Sequence, residues 1–231
     1  MPSLMRSTAD IVHAAQWAAL RGWLDSVPAG HRQRASVLDG WTVDHLVLHL
    51  ARSLDALADV GPLGAVADDT LPVQTVGSYL AGFRRHSAEI AETVRRVAAT
   101  SSGDRAAEWD AANAQAERSL AALGGTDPLL TARDGVIRLS DYLDTRIVEL
   151  VVHAGDLARS LPDLPPPPVL PAALERVESV LRQAFREKAG VLGDHPVVVS
   201  MPAADFVDAA AGRKPVPEWL PSAVRSQFPL F

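Results

Sequence analysis

The chain has 231 residues, 48% hydrophobic and 22% charged, enough apolar material for a real core, which excludes disordered and fibrous classes. A formal charge of -6 and a sequence pI near 5.6 give no long-range attraction to phosphate backbones or anionic lipid, so neither nucleic acid nor a membrane is an expected partner. Cysteine is absent, so the chain supplies no disulfide, no thiolate zinc ligand and no cysteine nucleophile, and any metal must be held by His and carboxylate. The first residues lack a basic start with an apolar run behind it, and no stretch is apolar enough to span a bilayer; a cytoplasmic protein is expected.

In chain order, residues 7–25 place Ile11, Ala15, Trp17, Ala18, Leu20 and Leu24 mostly three and four apart, the spacing of an amphipathic helix, and Val27-Pro28-Ala29-Gly30 ends it. Trp41-Thr42 reads as staple and N-cap of a second helix carrying Val43, Leu46, Val47, Leu50, Leu54 and Leu57, which stops before Gly61-Pro62. A third is predicted over 73–99, with Tyr79, Leu80, Phe83, Ile90, Val94 and Val97 on its buried side and Ser101-Ser102-Gly103 after it. Residues 104–123 are helical by composition, although their apolar face is weak. Gly124-Gly125-Thr126-Asp127-Pro128 is a loop, 129–139 is extended or irregular, and Ser140 reads as an N-cap. The strongest helical period follows over 141–160, through Leu143, Ile147, Leu150, Val151, Ala154 and Leu157. Long helices joined by loops indicate an antiparallel bundle.

Pro162 and the run Pro165 to Pro168 cannot continue a helix and favour stiff polyproline II. They divide the chain into a bundle over 1–161 and a short α/β region over 162–231. That region is read as a helix over 171–189, a strand over 196–200, a short helix around 203–211 and a proline-containing tail wrapped on the surface.

The chemistry concentrates on the last bundle helix. Glu149 and His153 stand four apart, so their side chains point within about 40° of each other and can converge on one ion. They share with Tyr142, Arg146 and Asp156 a polar strip that borders the apolar stripe, where an unpaired polar group costs roughly 1–3 kcal/mol. Read blandly, such a strip is a set of i, i+4 contacts on a solvated face. His45 and His49 on the second helix are also four apart, and one of them could meet the later pair across a seam of roughly 8–10 Å. A His, Glu, His set suits zinc or another late divalent metal and leaves one position open. His13, His31, His86 and His195 are read as structural or surface residues.

Two stretches carry a resemblance. Residues 41–50, WTVDHLVLHL, and residues 142–157, YLDTRIVELVVHAGDL, resemble the two motif helices of the DinB-like, mycothiol-dependent maleylpyruvate isomerase family. The resemblance implies a DinB-like four-helix bundle and a divalent metal, usually zinc, on His49, Glu149 and His153. One departure stands out: where the family pattern has an acidic residue, this chain has His45, a competing ligand or a neighbour of the site. Arg146 and Asp156 also match the second motif, with the implied roles of orienting a ligand or closing a salt bridge.

In that family mycothiol, a small thiol, is activated at the metal, adds to the double bond of maleylpyruvate, and leaves after rotation to the trans isomer. Relatives look like thiol transferases. A C-terminal domain helps to bind the substrate carboxylates, and the stretch 206–213, FVDAAAGR, is similar to its end, which makes Arg213 a candidate carboxylate partner, with Arg182 and Arg186 as alternatives. The resemblance thus implies a thiol-dependent isomerase of small electrophilic or carboxylate substrates, monomeric or homodimeric. A mycothiol S-transferase and a non-catalytic metal- or ligand-binding module are the other readings.

Overall fold

The computed structural model describes residues 7–58, 71–101, 103–123, 126–191 and 196–231; the turns expected at Gly61-Pro62 and Gly124-Gly125, and His195, lie outside them. The chain forms α1 (Thr8–Asp25), α2 (Val43–Ala58), α3 (Val76–Thr100), α4 (Arg105–Ala122), the strands β1 (Leu129–Ala132) and β2 (Gly135–Arg138), then α5 (Leu139–Ser160), α6 (Pro171–Ala189), α7 (Pro196–Val199), α8 (Ala203–Ala210) and α9 (Ser222–Arg225). Four starts are capped by side chains: the Ser7 hydroxyl accepts from Asp10 N, the Thr42 hydroxyl from His45 N, Thr75 and Ser78 form a capping box, and the Asp104 carboxylate accepts from Ala107 N. Pro171 at the head of α6 and Gly190 in the left-handed conformation behind it bound that helix as sequence rules require.

Helices α1, α4, α2 and α5 pack in a closed ring, each against the next, around a first apolar core. At its centre the Trp17 and Trp109 rings stack at 4.2 Å, and the Trp109 indole N–H donates to Val47 O at 2.9 Å. The weak apolar face of α4 is explained by this packing: Trp109 supplies the bulk, and Ala112 and Ala116 are buried small residues that let α2 approach closely.

Helix α3 lies outside the ring and joins α5, α6 and α8 in a second core, which contains Val76, Leu80, Ile147, Val148, Val151 and Val152 beside Val177, Leu181, Phe185 and Phe206. Gly77 permits the close α3–α6 contact, since a Cβ there would stand 3.1 Å from the Ala184 Cα and collide with the Glu187 carboxylate. Helix α5 therefore has core on both sides, and sixteen of its 22 residues are buried.

Several expectations are corrected. Helix α3 starts at Val76 rather than at 73, because residues 72–74 run beside β2: Gln74 N donates to Val136 O, and Val136 N to Pro72 O. The run from 129 is extended, as one of its two readings had it: residues 129–138 form an antiparallel hairpin, with Leu130 opposite Ile137 and Asp134 left-handed in its turn, and Leu139 already belongs to α5. Ser140 is not an N-cap: α5 begins at Leu139, and the Asp127 carboxylate accepts from both the N–H and the hydroxyl of Ser140. No strand forms over 196–200, where Pro196–Val199 is one helical turn; the apolar Pro-Val-Val-Val run has no neighbouring strand to pair with among the described residues, so the C-terminal region is helical there rather than α/β. The tail is not a surface wrap, since Leu220, Val224 and Leu230 are buried and Leu230 N donates to Ala210 O.

The proline-rich run lies along α1 instead of hanging free. Prolines keep their carbonyls, and Pro165 O accepts from the Trp23 indole while Pro168 O accepts from the Gln16 amide, whose own oxygen takes Leu170 N–H.

Candidate metal centre

His49 projects from α2 toward α5, behind Val43, Leu46, Val47 and Leu50, which the first core fully buries. Glu149 and His153, one turn apart on α5, face it from the seam between the two cores. The Nε2 atoms of His49 and His153 each lie 3.1 Å from the same oxygen, Glu149 Oε2. The two imidazole rings meet edge to face at 4.9 Å, and Trp41, read from sequence only as a staple, stacks edge-on against His49 at 5.2 Å.

One donor atom from each of the three residues lies within 4.8 Å of the others, and among the described residues no other His, Asp or Glu group does this. Tetrahedral ligands with bonds of ~2.0–2.1 Å stand ~3.3 Å apart, close to the observed 3.1 Å separations. The donor set therefore fits a zinc-sized cation.

The supporting contacts fix the direction of His153. Its Nδ1 donates to Asp156 Oδ2 at 2.8 Å, and a carboxylate only accepts, so Nδ1 keeps its proton and Nε2 is the atom presented to Glu149 and His49. Asp156 is fully buried and is itself held by two arginines. Arg159 donates to it at 2.8 Å, and Arg213, 57 residues away, donates through Nε and Nη2 at 2.9 and 3.1 Å.

Charge follows this geometry. Burial opposes the ionised form of Glu149, but hydrogen bonds from His153 and His49 outweigh it and hold the carboxyl well below its usual range. For His153 burial likewise opposes charge, and the bonds to Asp156 and Glu149 override it, raising the pKa to about 9. His49 goes the other way: burial dominates and lowers it. Asp156 is lowered, as its bonds to His153 and Arg213 overcome burial.

His45 is turned elsewhere. Its Nδ1 accepts from Thr42 N at 3.1 Å and closes the first turn of α2, so it does not join the cluster. His31 pairs with Asp163 and His86 with Asp134, both at the surface. Arg182 bonds Glu178 and Val198 O and lies over the Phe206 ring, a packing role. Arg182 and Arg186 do not line the cavity at the cluster.

That cavity has a volume of about 420 Å³. The cluster forms one wall, Phe83 and Ile90 of α3 another, and Gly212, Arg213 and Phe231 of the C-terminal region a third. Sequence reasoning missed the contributions of Trp41, Phe231 and Arg159. For Trp41 the signal was available in its place one turn from His45 and two from His49; for the others the partner is too remote in sequence to be read.

Comparison with known proteins agrees with this architecture. Residues 13–158 match the Mycothiol maleylpyruvate isomerase N-terminal domain. Among solved structures, one described as the crystal structure of the mycothiol-dependent maleylpyruvate isomerase superposes with a TM-score of 0.57 at 18% identity, covering 88% of each chain, a likeness of fold. Among curated proteins no sequence match was found. The matched segment contains both helices that carry the cluster, and the chain belongs to the mycothiol maleylpyruvate isomerase N-terminal domain family.

Proposed function

We propose that this chain is a metal- and mycothiol-dependent enzyme of the maleylpyruvate isomerase type, working on a small electrophile in the cavity bounded by His49, Glu149, His153 and Arg213. The observation that carries the reading is the convergence of two imidazoles and one carboxylate, from two helices, on the wall of a cavity large enough for a small molecule. Zinc is the cation the donor set suits, and when bound it would draw a thiol, ordinarily near pKa 8.5, into its thiolate form at neutral pH.

The chain's own residues prepare the site. Asp156 orients His153, and Phe83, Ile90, Val148, Val152 and Phe231 give the cavity apolar walls that limit water at the reacting centre. Without a cysteine in the chain, the sulfur must come from the cofactor. Arg213 sets positive charge at the edge of the cavity, but two of its nitrogens are committed to Asp156 and a third to Ala211 O. It acts on the site by positioning Asp156 more than by reaching for a substrate carboxylate, and that observation keeps a second reading, a mycothiol S-transferase, beside the first.

The deciding experiment gives the zinc-loaded chain maleylpyruvate with and without mycothiol and follows both cis–trans conversion and thiol adducts. Thiol-dependent conversion that is lost in Glu149→Gln is the expected result. Adducts without conversion would establish the transferase, and stoichiometric zinc with no thiol binding would reduce the chain to a non-catalytic module.

A further inference from the structure

We infer that a second, smaller cavity, which shares His49 and Glu149 with the first, is an anion subsite, built around Arg146 to receive a carboxylate of the molecule that occupies the site. The inference extends the proposed function by adding a second point of contact for its ligand. The cavity, about 210 Å³, lies among α2, α3, α5 and the hairpin, and it shares His49, Glu149, Phe83 and Ile90 with the larger one. Its lining brings Arg52, Arg133 and Arg146 together, although the chain as a whole carries a net charge of -6. Glu149 is the acidic residue in that lining, and its Oε2 is already shared by two histidines.

Arg146 carries the argument. It is 5% exposed and forms no ion pair with a carboxylate among the described residues. Its Nε donates to Thr145 Oγ1 at 3.1 Å and its Nη2 reaches Tyr79 Oη at 3.5 Å. The guanidinium sits between the rings of Tyr142, Tyr79 and Phe83, at 5.0, 5.8 and 5.9 Å. Aromatic faces favour a cation but accept none of its hydrogen bonds, so donors remain unspent out of the five N–H groups an arginine has. No hydrogen bond from its Nη1 is found among the described residues, and Arg146 lines the cavity. A planar fork held rigid by three rings, poorly hydrated and short of an acceptor, is the recognition chemistry of a carboxylate. Arg133, bonded to Glu89 at 3.2 Å and exposed, adds charge at the mouth.

The test titrates the full chain with succinate, and with succinamide as its neutral counterpart, by calorimetry and by the NMR shift of the Arg146 Nε–H. Succinate is expected to bind saturably and to move that resonance, and succinamide to do neither. Arg146→Met should weaken succinate at least tenfold and Arg133→Ala two- to fivefold. Binding should persist in His153→Ala, whose metal site is broken and whose side chain does not line the smaller cavity, and this separates the anion subsite from a carboxylate caught by the metal and from failure of the thiol chemistry. If Arg146→Met does not fold, the wild-type resonance decides. Equal binding of succinamide, an unmoved Arg146 signal, or loss of binding in His153→Ala would overturn the inference.

Discussion

The two cores that flank α5 are built differently. The first, inside the ring of α1, α4, α2 and α5, is closed by stacked tryptophans and by contacts of α5 with both α1 and α2, and it sets the spacing between His49 and the Glu149–His153 pair. The second, between α5 and α3, α6 and α8, is built mainly from α5 and the helices that follow it, and beside it lie the charged groups that hold Asp156 against His153, Arg159 at 2.8 Å and Arg213 at 2.9 Å. One core supplies distance, the other orientation, and α5 belongs to both.

The largest effect that would break this comparison comes from removing one core. Cutting the chain after Pro168 uncovers Val76, Leu80, Ile147, Val148, Val151 and Val152. At about 1.5–3 kcal/mol for each buried side chain, the loss rivals the ~5–15 kcal/mol that holds a domain together. The fragment 1–168 is expected to lose its cooperative thermal transition. A sharp transition near that of the full chain would show that the bundle stands alone.

His13 probes the line where the cores meet, since Ala9 and Trp17 belong to the first while Val12 packs on the second. It is buried, its Nε2 has no partner, and burial together with the nearby Arg146 charge lowers its pKa to about 4. The folded state therefore binds fewer protons than the unfolded one between about pH 6.5 and 4. Stability from this residue is present above 6.5 and is lost as pH falls through that window, on the order of 3 kcal/mol in all. In denaturant titrations His13→Leu should flatten the pH dependence there; an unchanged slope would assign acid sensitivity elsewhere.

Smaller, and specific to orientation, is Asp156→Asn. It removes the negative charge and leaves one acceptor oxygen where His153, Arg159 and Arg213 now share two, with an expected loss of 10- to 100-fold in zinc affinity and little change in helical content. Zinc binding at full strength would show that the second core plays no part in the site.

How much of this was legible in the sequence follows the same division. Periodicity placed the long helices within a few residues, because their apolar spacing is local, and motif resemblance selected His49 over His45. Why His45 stands aside was not readable, since it depends on a bond to Thr42 N in the first turn of α2. The strand expected over 196–200 failed because β propensity without a partner strand decides little. Arg213 was found but given a substrate-facing role; its engagement with Asp156 depends on a fold that brings together residues 57 apart.

The central claim is that His49, Glu149 and His153 hold one divalent ion, and zinc stoichiometry measured on the purified chain and on His45→Ala, His49→Ala and His153→Ala tests it most directly. The account predicts one zinc per chain in the wild type and in His45→Ala, with affinity at least about tenfold lower in the other two. Full occupancy in His49→Ala, or its loss in His45→Ala, would contradict it.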